Sequence, residues 1–402
     1  MNLMKMPYRT SHMVVKGMLN ILKLPTPPTL IGSGMIKRFP EIIALCNVRK
    51  AIIVTQTVIE EKELLMPFLS AMEASGIETA IYHMPNASPS FEDIYNGLDF
   101  YYKENCDGII AFGGGTCIDC GKIIAAKVTN DRPIPKMKGL FKLSRKLPPY
   151  FAVPTTAGSG AEATIDALIL DTTNCEKFTI SDAKLAPLAV VLDPELCADL
   201  SREQTIYGAL DTLTRAIEAY LNRYDKNRVL ELARSSVCTV LNHLEKLLEE
   251  PSNLTERQAM LQAAHDSGLA KTRACPGYTQ TIAHTLSAWY NLSESHVAAI
   301  ILPQLLNFNL ESCRKKYAEL ALALGLGEAS DDEPLLSERF VHHIEAFCDR
   351  LGIPDQIPQI RSCDIPEITH QILKEANAVY PVPKLMDTQA CTALLEKVQL
   401  QH

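Results

Sequence analysis

The 402-residue chain has no excess of basic residues, no long apolar run and little clustering of its cysteines. Lys plus Arg number 39 against 47 Asp plus Glu, for a net charge of −8. A mostly acidic surface argues against binding of polyanions, so we expect no nucleic-acid partner. No stretch of about eighteen uncharged apolar residues occurs, which predicts a protein without membrane spans. Apart from Cys117 and Cys120, the twelve cysteines are scattered singly, which is typical of reduced thiols in a cytoplasmic protein.

The N-terminal segment contains no acidic residue through position 24, and its apolar group is interrupted by Lys16 and Asn20. A secretory signal peptide requires a cleaner apolar stretch followed by a small-residue cleavage site. We therefore expect residues 1–28 to form an N-terminal helical extension that docks on the body and is ended by the prolines of residues 25–28.

The predicted secondary structure of the rest of the chain changes near Asp193 and Pro194. Before them, short β-branched runs alternate with amphipathic stretches, the signature of a parallel sheet with crossover helices. After them, helical periodicity dominates. We predict an α/β dinucleotide-binding domain with a Rossmann-like parallel sheet over residues 29–194 and an all-α domain over residues 195–402. The predicted strands cover residues 51–55, 78–82, 107–112 and 150–154, and the predicted helices cover residues 61–75, 91–105, 117–127, 203–222, 228–248, 254–270, 277–288 and 296–310.

A glycine-rich segment, GGGTCIDCGK at residues 113–122, follows the third of these strands and opens a helix. Three successive glycines let backbone amides approach a phosphate, and the helix N-terminus adds partial positive charge. A glycine triplet is also common in tight turns that bind nothing, but an acid and Lys122 further along the helix favour the nucleotide interpretation. The candidate cofactor-binding residues here are Gly113, Gly114, Gly115, Thr116 and Asp119.

The same segment contains a Cys-x-x-Cys pair, Cys117 and Cys120. A position near a helix N-terminus lowers the pKa of a thiol. No second pair completes a zinc site, so we interpret the spacing as a coincidence.

A second loop, PTTAGSGAE at residues 154–162, follows the next predicted strand. Its hydroxyls and glycines suit contact with a ribose or phosphate, and Thr155, Thr156 and Ser159 are further cofactor-binding candidates. The alternative is a helix entry in which Ser159 forms a capping box with Glu162. Two such loops at the ends of neighbouring parallel strands favour a dinucleotide cleft.

These motifs resemble those of the iron-containing (group III) alcohol dehydrogenases, which are related to dehydroquinate synthase and glycerol dehydrogenase. The two loops are similar to the family's GGGSxxDxAK and PTTAGTGSE, and residues 192–194, 208–220 and 300–303 resemble its LDP, GxDALTHAIEAY and AILLP stretches. The resemblance covers residues 29–402. It implies a dehydroquinate synthase-like fold, NAD or NADP as cofactor, a small alcohol, aldehyde or ketone as substrate, and a homodimer.

The resemblance also implies a divalent metal held by one Asp and three His, and here the chain departs from the family. Asp211 matches the Asp, but the three His positions hold Arg215, Gln280 and Glu294. Arginine has no lone pair to donate, and Gln is a poor ligand for transition metals. We therefore expect iron or zinc to be absent or weakly held, with Arg215 in place of the metal, paired with Asp211 and with Glu294 as a second partner.

Other family positions are partly kept. His284 matches the second member of a His-x-x-x-His pair, and Lys177 matches a lysine near the cofactor. Gln56 stands where members carry an acid that bonds the adenine ribose, and the lack of a carboxylate there allows NADP as well as NAD. His296 and His265 are the alternative candidates for a missing ligand, but each fits an ordinary surface or core histidine better.

Two functions are compatible with these residues. In the first, the protein transfers hydride between NAD(P)H and a small carbonyl compound, with Arg215 stabilising the alkoxide, Asp211 holding Arg215, and His284 relaying the proton. In the second, the protein binds the nucleotide but has lost or changed the chemistry. The phosphate-binding loops would be kept in both, so they do not discriminate between them.

Overall fold

A computed structural model describes residues 6–22, 24–86, 88–224 and 226–400. They form two compact units. The first, the sheet unit, contains the described residues of Pro25–Gly208 and Asn242–Thr272, and the second, the helical unit, contains those of Met1–Leu24, Ala209–Leu241 and Arg273–His402. The domain boundary after residue 194 stays a prediction. Of the predicted N-terminal extension, residues 1–5 lie outside the described residues, and α1 (Met6–Ile21) is helical as expected.

The sheet unit is built on six parallel strands in the order β1-β9-β6-β4-β2-β3. All four strands predicted from the sequence are present in this sheet, and two short strands were not predicted. The bounds are β1 (Thr29–Ile31), β2 (Lys50–Thr55), β3 (Glu78–His83), β4 (Gly108–Gly113), β6 (Tyr150–Pro154) and β9 (Ala189–Leu192).

Both faces of this sheet are covered by apolar side chains. Ile52 and Ile109 belong to one buried cluster, whereas Ile53 and Ile110, their neighbours along the strands, belong to another. Successive side chains of a strand point to opposite faces, so a strand buried on both faces has an unbroken apolar sequence. This explains why these strands were recognisable from continuous β-branched runs.

Of the helix predicted over residues 61–75, only α4 (Met66–Ala74) is present, because residues 62–65 form a turn that follows an unpredicted short helix, α3 (Thr57–Glu61). Glu63 between the two helices has a φ of 55°, in the left-handed region that no helix continues through. Pro67 lies in the first turn of α4, where its missing N–H costs no hydrogen bond. The other helices of this part are α2 (Phe39–Leu45), α5 (Phe91–Lys103) and α6 (Gly115–Thr129).

A second, three-stranded sheet in the sheet unit was not predicted. Its order is β5-β8-β7, with β7 (Asp166–Asp171) and β8 (Glu176–Ser181) antiparallel and β5 (Gly139–Leu140) parallel to β8. In β7 the buried residues Ala167 and Ile169 alternate with less buried ones, which is the pattern of a strand covered on one face. The sequence does not show this alternation, because residues 167–170 are all apolar.

The second half of the chain is helical, as predicted. Helix α11 extends well beyond the predicted residues 296–310 and contains Pro303 in its interior. Among the residues that the structure describes, no helix is both long and apolar enough to cross a membrane. The helices are α7 (Arg202–Leu221), α8 (Asn227–Glu249), α9 (Leu254–Ala274), α10 (Tyr278–Tyr290), α11 (Glu294–Ala323), α12 (Glu333–Leu351), α13 (Ile365–Val379) and α14 (Thr388–Val398).

Candidate functional site

The glycine loop connects β4 to α6 at the carboxyl edge of the six-stranded sheet. Strand β4 ends at Gly113, Gly114 is the N-cap residue, and α6 begins at Gly115, two residues earlier than predicted. Because Gly114 has no side chain, the helix starts without a side-chain cap. A helix N-terminus of this kind presents backbone N–H groups and the positive end of the helix dipole to an anion.

The second loop passes directly over the glycine loop. Strands β4 and β6 are neighbours, with Gly113 opposite Pro154, which confirms that the two loops emerge side by side. A Cβ atom on Gly114 would lie 3.3 Å from Thr156 Oγ1, and one on Gly115 would lie 2.5 Å from Ser159 Oγ. At both glycines the space that a Cβ atom would take is occupied by a side chain of the second loop, so the missing side chains let the two loops pack closely. Binding of the pyrophosphate of a dinucleotide at the start of α6 stays a prediction.

The glycines of the second loop have a different role from the one expected. A Cβ atom on Gly158 would lie 3.0 Å from the Cα of Gly208, and one on Gly160 would collide with the carbonyl of Ala264. Gly160 also has a φ of 59°, a conformation that favours glycine. These two glycines allow close packing of the loop on neighbouring backbone, so they are not evidence of ligand approach.

The alternative of a capping box between Ser159 and Glu162 is wrong. The short 3₁₀ helix of residues 161–163 has Gly160 as its N-cap, without a side-chain cap. Ser159 Oγ accepts a hydrogen bond from the N–H of Ala161, at 3.3 Å. The carboxylate of Glu162 instead lies 3.2 Å from His265 Nδ1, and both side chains are buried. His265 is thus a core histidine, as interpreted from the sequence.

Lys122 holds the second loop to α6. Its side chain is fully buried, and Nζ donates hydrogen bonds to the carbonyls of Ala161 (2.7 Å), Thr164 (2.9 Å) and Asp166 (2.6 Å). Burial lowers the pKa of Lys122 to about 8. The lysine that strengthened the nucleotide interpretation is therefore a structural residue that fixes the chain after the loop.

Asp119 is likewise engaged within the protein, where its Oδ2 accepts a hydrogen bond from the N–H of Leu168 in β7, at 3.1 Å. Gln56 directly follows β2, and since β2 pairs with β4, it lies at the same sheet edge as the glycine loop. Lys177 is a buried residue of β8. A role in cofactor binding for Asp119, Lys177, Gln56 and Thr116 stays a prediction.

Cys117 and Cys120 face the core of the sheet unit. Burial raises the pKa of Cys117 to about 12 and raises the pKa of Cys120 well above its usual value. The lowering expected at a helix N-terminus does not occur, because removal of the thiolate from water outweighs the helix dipole. The Cys-x-x-Cys spacing therefore produces no reactive pair.

A buried polar cluster in the helical unit contains three of the four positions that match the family's metal ligands. Arg215 Nε donates to Asp211 Oδ1 at 2.9 Å, one turn apart on α7. Gln280 Nε2, from the first turn of α10, donates to the same oxygen at 3.2 Å. The pairing of Arg215 with Asp211 is thus confirmed, and we call this group the Asp211–Arg215–Gln280 cluster.

This cluster does not fit an iron or zinc ion. Its only anionic oxygen donor is Asp211, whose Oδ1 already accepts two hydrogen bonds, and a guanidinium cation lies where the family has a ligand. Within the described residues, no group of three or more His, Cys, Asp or Glu side chains is arranged to hold a metal. Glu294 is the first residue of α11, and its contact with Arg215 stays a prediction.

Glu218, three residues after Arg215 on α7, was missed by the sequence analysis. Its carboxylate accepts hydrogen bonds from the N–H groups of Gly277 (3.0 Å) and Thr279 (2.7 Å) and so caps the start of α10. Burial raises the pKa of Glu218, although these bonds and the charge of Arg215 oppose the shift. The signal was present in the spacing, since residues 211, 215 and 218 share one face of a helix.

His284 lies one turn beyond Gln280 on α10. Its Nε2 is 2.9 Å from Glu375 Oε2 on α13, and the other carboxylate oxygen of Glu375 accepts a hydrogen bond from the hydroxyl of Tyr380, at 2.6 Å. The sequence analysis named His284 but not Glu375 or Tyr380. No local pattern could have found Glu375, because it lies 91 positions after His284 and only the folded chain brings the two together.

The chain matches one family over nearly its whole length. Residues 26–194 match the family model described as iron-containing alcohol dehydrogenase, and residues 205–399 match that of the family's C-terminal part. The chain therefore belongs to the iron-containing alcohol dehydrogenase family, which confirms the resemblance seen in its motifs.

Similar proteins act on alcohols. The chain is 31% identical over 296 residues to methanol:N,N-dimethyl-4-nitrosoaniline oxidoreductase of Mycobacterium sp. (strain DSM 3803 / JC1), covering 72% of this chain and 70% of the relative. It is 26% identical over 328 residues to NAD-dependent methanol dehydrogenase of Bacillus methanolicus, covering 82% and 86%. A crystal structure of 1,3-propanediol oxidoreductase matches with a TM-score of 0.90 and 26% identity, over 94% of this chain and 100% of that chain.

These likenesses confirm the predicted fold class, a parallel α/β part with a mostly helical C-terminal part. They also support alcohol and aldehyde oxidoreductase chemistry, because the relatives are alcohol dehydrogenases. The names of the relatives do not address the changed ligand positions of this chain.

Proposed function

We propose that this protein is an NAD(P)-dependent oxidoreductase that interconverts a small alcohol and its aldehyde or ketone without the family's metal ion. The observation that carries the proposal is the Asp211–Arg215–Gln280 cluster, in which a hydrogen-bonded guanidinium occupies a ligand position. The fold and the family support the class of reaction, and the cluster supports the absence of the metal ion.

The glycine loop is proposed to bind the pyrophosphate of the dinucleotide. Gly113, Gly114 and Gly115 provide backbone N–H groups at the start of α6, and Thr155, Thr156 and Ser159 add hydroxyls from the neighbouring loop. When bound, the nicotinamide accepts or supplies a hydride. A carboxylate at position 56 would repel the 2′-phosphate of NADP. Because Gln56 is uncharged, the chain is expected to accept both NAD and NADP.

Arg215 and His284 are proposed to act on the carbonyl group. Negative charge develops on the substrate oxygen as hydride is added, and a fixed guanidinium stabilises that charge in a partly dry site. Asp211 and Gln280 restrain the guanidinium, because both bond within the cluster. His284 supplies or removes the proton of the alcohol.

The test is turnover in the absence of metal. Purified protein is assayed with short primary alcohols and diols, and with the corresponding aldehydes, using both nicotinamide cofactors with and without a chelator. We expect turnover that survives the chelator in protein shown by elemental analysis to lack iron and zinc. Activity that disappears with the chelator and returns with added metal would overturn the metal-free part of the proposal.

The second candidate is a nucleotide-binding protein without this catalysis, and the changed ligand positions favour it. A fluorescence titration with NADH and NADPH separates the two. Binding without turnover on any alcohol or aldehyde tried supports the non-catalytic protein, whereas no binding at all contradicts both.

A further inference from the structure

We propose that Glu375 is a positioning residue that fixes the tautomer of His284, so that Nδ1 is the ring nitrogen that exchanges the substrate proton. The catalytic part of this inference rests on the proposed function, whereas the tautomer itself does not. Tyr380 is inferred to orient Glu375.

The geometry defines which nitrogen carries the proton. Glu375 Oε2 lies 2.9 Å from His284 Nε2, and a carboxylate can only accept a hydrogen bond. Nε2 must therefore be the N–H donor of a neutral ring. The remaining nitrogen, Nδ1, is then the basic one, as expected from the two distinct roles of the imidazole nitrogens.

The contact between His284 and Glu375 is partly shielded from water, so it can determine which tautomer the imidazole adopts. The His284 side chain is 7% exposed and that of Glu375 is 30% exposed. The Tyr380 hydroxyl donates to Glu375 Oε1 at 2.6 Å, and Tyr380 is buried. With one oxygen held by the tyrosine, the carboxylate has its second oxygen directed at the histidine.

The proton balance follows from this arrangement. In the oxidation direction the alcohol loses its hydroxyl proton to Nδ1 and a hydride to the oxidised nicotinamide, and it becomes the aldehyde or ketone. The imidazolium formed is stabilised by the Glu375 carboxylate and then returns the proton to solvent. In the reverse direction Nδ1 first takes a proton from solvent, and the resulting imidazolium gives that proton to the alkoxide oxygen that forms as hydride reaches the carbonyl carbon.

The informative variant is Glu375→Gln, which keeps the shape of the side chain. We expect the Tyr380 hydroxyl to keep donating to the side-chain oxygen at this position, which directs the amide NH₂ group at His284 Nε2. That nitrogen must then accept, and the ring changes to the Nδ1–H tautomer. An amide in place of a carboxylate behind a catalytic histidine is known to impose the wrong tautomer and to lower kcat strongly.

The primary measurement is a long-range ¹H–¹⁵N spectrum of protein labelled at histidine, with the His284 signals assigned by their loss in His284→Gln. We expect the Nε2–H tautomer in the wild-type protein and in Tyr380→Phe, and the Nδ1–H tautomer in Glu375→Gln. Glu367→Gln, an exposed change on the same helix, is the matched control and should leave the spectrum of His284 unchanged.

The kinetic measurement is kcat and KM for the best alcohol found. Glu375→Gln should lower kcat by about 10²-fold, the scale of one general acid or base, with little change in KM. The Nδ1–H tautomer in the wild-type protein, or an unchanged tautomer in Glu375→Gln, would overturn the proposal. If the tautomer switches as expected but the wild-type protein turns over no substrate, the proposed function fails while the assignment of Glu375 stands.

Discussion

The guanidinium of Arg215 lies one helical turn from the carboxylate of Asp211, with Nε 2.9 Å from Oδ1, and both side chains are about nine-tenths buried. A buried pair of this kind is poor evidence of net stabilisation, because both charges lose their hydration. Removal of one partner is nevertheless costly, since the other charge is then left buried and uncompensated. A substitution that removes the charge of Arg215 is therefore expected to leave Asp211 buried without a compensating charge.

Arg215→Met should destabilise the protein. Methionine has a similar length but no charge, so Asp211 would keep only the hydrogen bond from Gln280. We expect the free energy of unfolding to fall by about 3 kcal/mol and turnover to be abolished, measured by urea denaturation and by the alcohol assay. The control is Arg228→Met, whose pair with Glu231 is exposed and should contribute less than about 1 kcal/mol. Equal effects of the two substitutions would contradict burial of the Asp211 pair.

Gly114→Ala should weaken cofactor binding more than it affects folding. The added Cβ would lie 3.3 Å from Thr156 Oγ1, which a small shift of the threonine can relieve. The methyl group would nevertheless stand beside the backbone N–H groups at the start of α6, where the pyrophosphate is proposed to bind. We expect at least a tenfold weaker NADH affinity by fluorescence titration with a nearly unchanged melting temperature.

The control for this loop is Gly17→Ala, an exposed helical position with nothing within 4 Å of the added atom. It should leave the affinity unchanged. An affinity for NADH in Gly114→Ala equal to that of the wild-type protein would show that the glycine loop is not the cofactor site. Substitution of Gly115 is less informative, because its Cβ would meet Ser159 Oγ at 2.5 Å and disturb the fold itself.

Lys122→Met should disturb both loops. The substitution leaves the carbonyls of Ala161, Thr164 and Asp166 without their common donor, and each unpaired buried group costs about 1–3 kcal/mol. We expect a loss of about 3 kcal/mol of unfolding free energy at pH 7, with weaker NADH binding because the chain after the second loop is released.

This loss should grow with pH. The folded protein holds Lys122 at a pKa of about 8, below the ordinary 10.5, so between these values the unfolded chain binds more protons. Stability of the wild-type protein then rises with pH through that window relative to the variant, which lacks the amine. Urea denaturation of both proteins at pH 7 and pH 10 measures the difference, and a difference that shrinks toward pH 10 would show that Lys122 is not held at a lowered pKa.

The parallel sheet was predictable because its strands are buried on both faces, so Ile52 and Ile53 appear in the sequence as one apolar run. Strand β9 and the three-residue β1 are too short to show a period, and β7 was missed because its apolar residues 167–170 do not show its alternation in burial. The glycine loop was predictable because its chemistry is local. Glu218 and Glu375 act on residues distant in sequence, and only tertiary packing brings them to α10.

The turn at residues 62–65, where a continuous helix was predicted, shows a second limit of the sequence. The apolar spacing of residues 61–75 is helical throughout, and the break depends on one residue, Glu63, adopting a left-handed conformation. A glutamate carries no propensity for that conformation, so the break was not recognisable from residue type. Pro67 was the visible sign, since proline is tolerated in a first turn but not in the interior of a helix.

The last prediction concerns the combined substitution Arg215→His, Gln280→His and Glu294→His, which restores the family's ligand types around Asp211. Histidine nitrogens and a carboxylate are suitable donors for zinc or iron, and removal of the guanidinium frees the Asp211 oxygen that now accepts from Arg215 and Gln280. We expect the triple variant to bind zinc tightly by elemental analysis and to gain metal-dependent alcohol oxidation. The matched control, Gln280→His with Glu294→His, keeps Arg215 and should bind little zinc, because the guanidinium still neutralises Asp211. Equal zinc binding by the double and triple variants would show that Arg215 does not stand in for the metal, and no binding by the triple variant would show that Glu294 does not belong to the same site as Asp211.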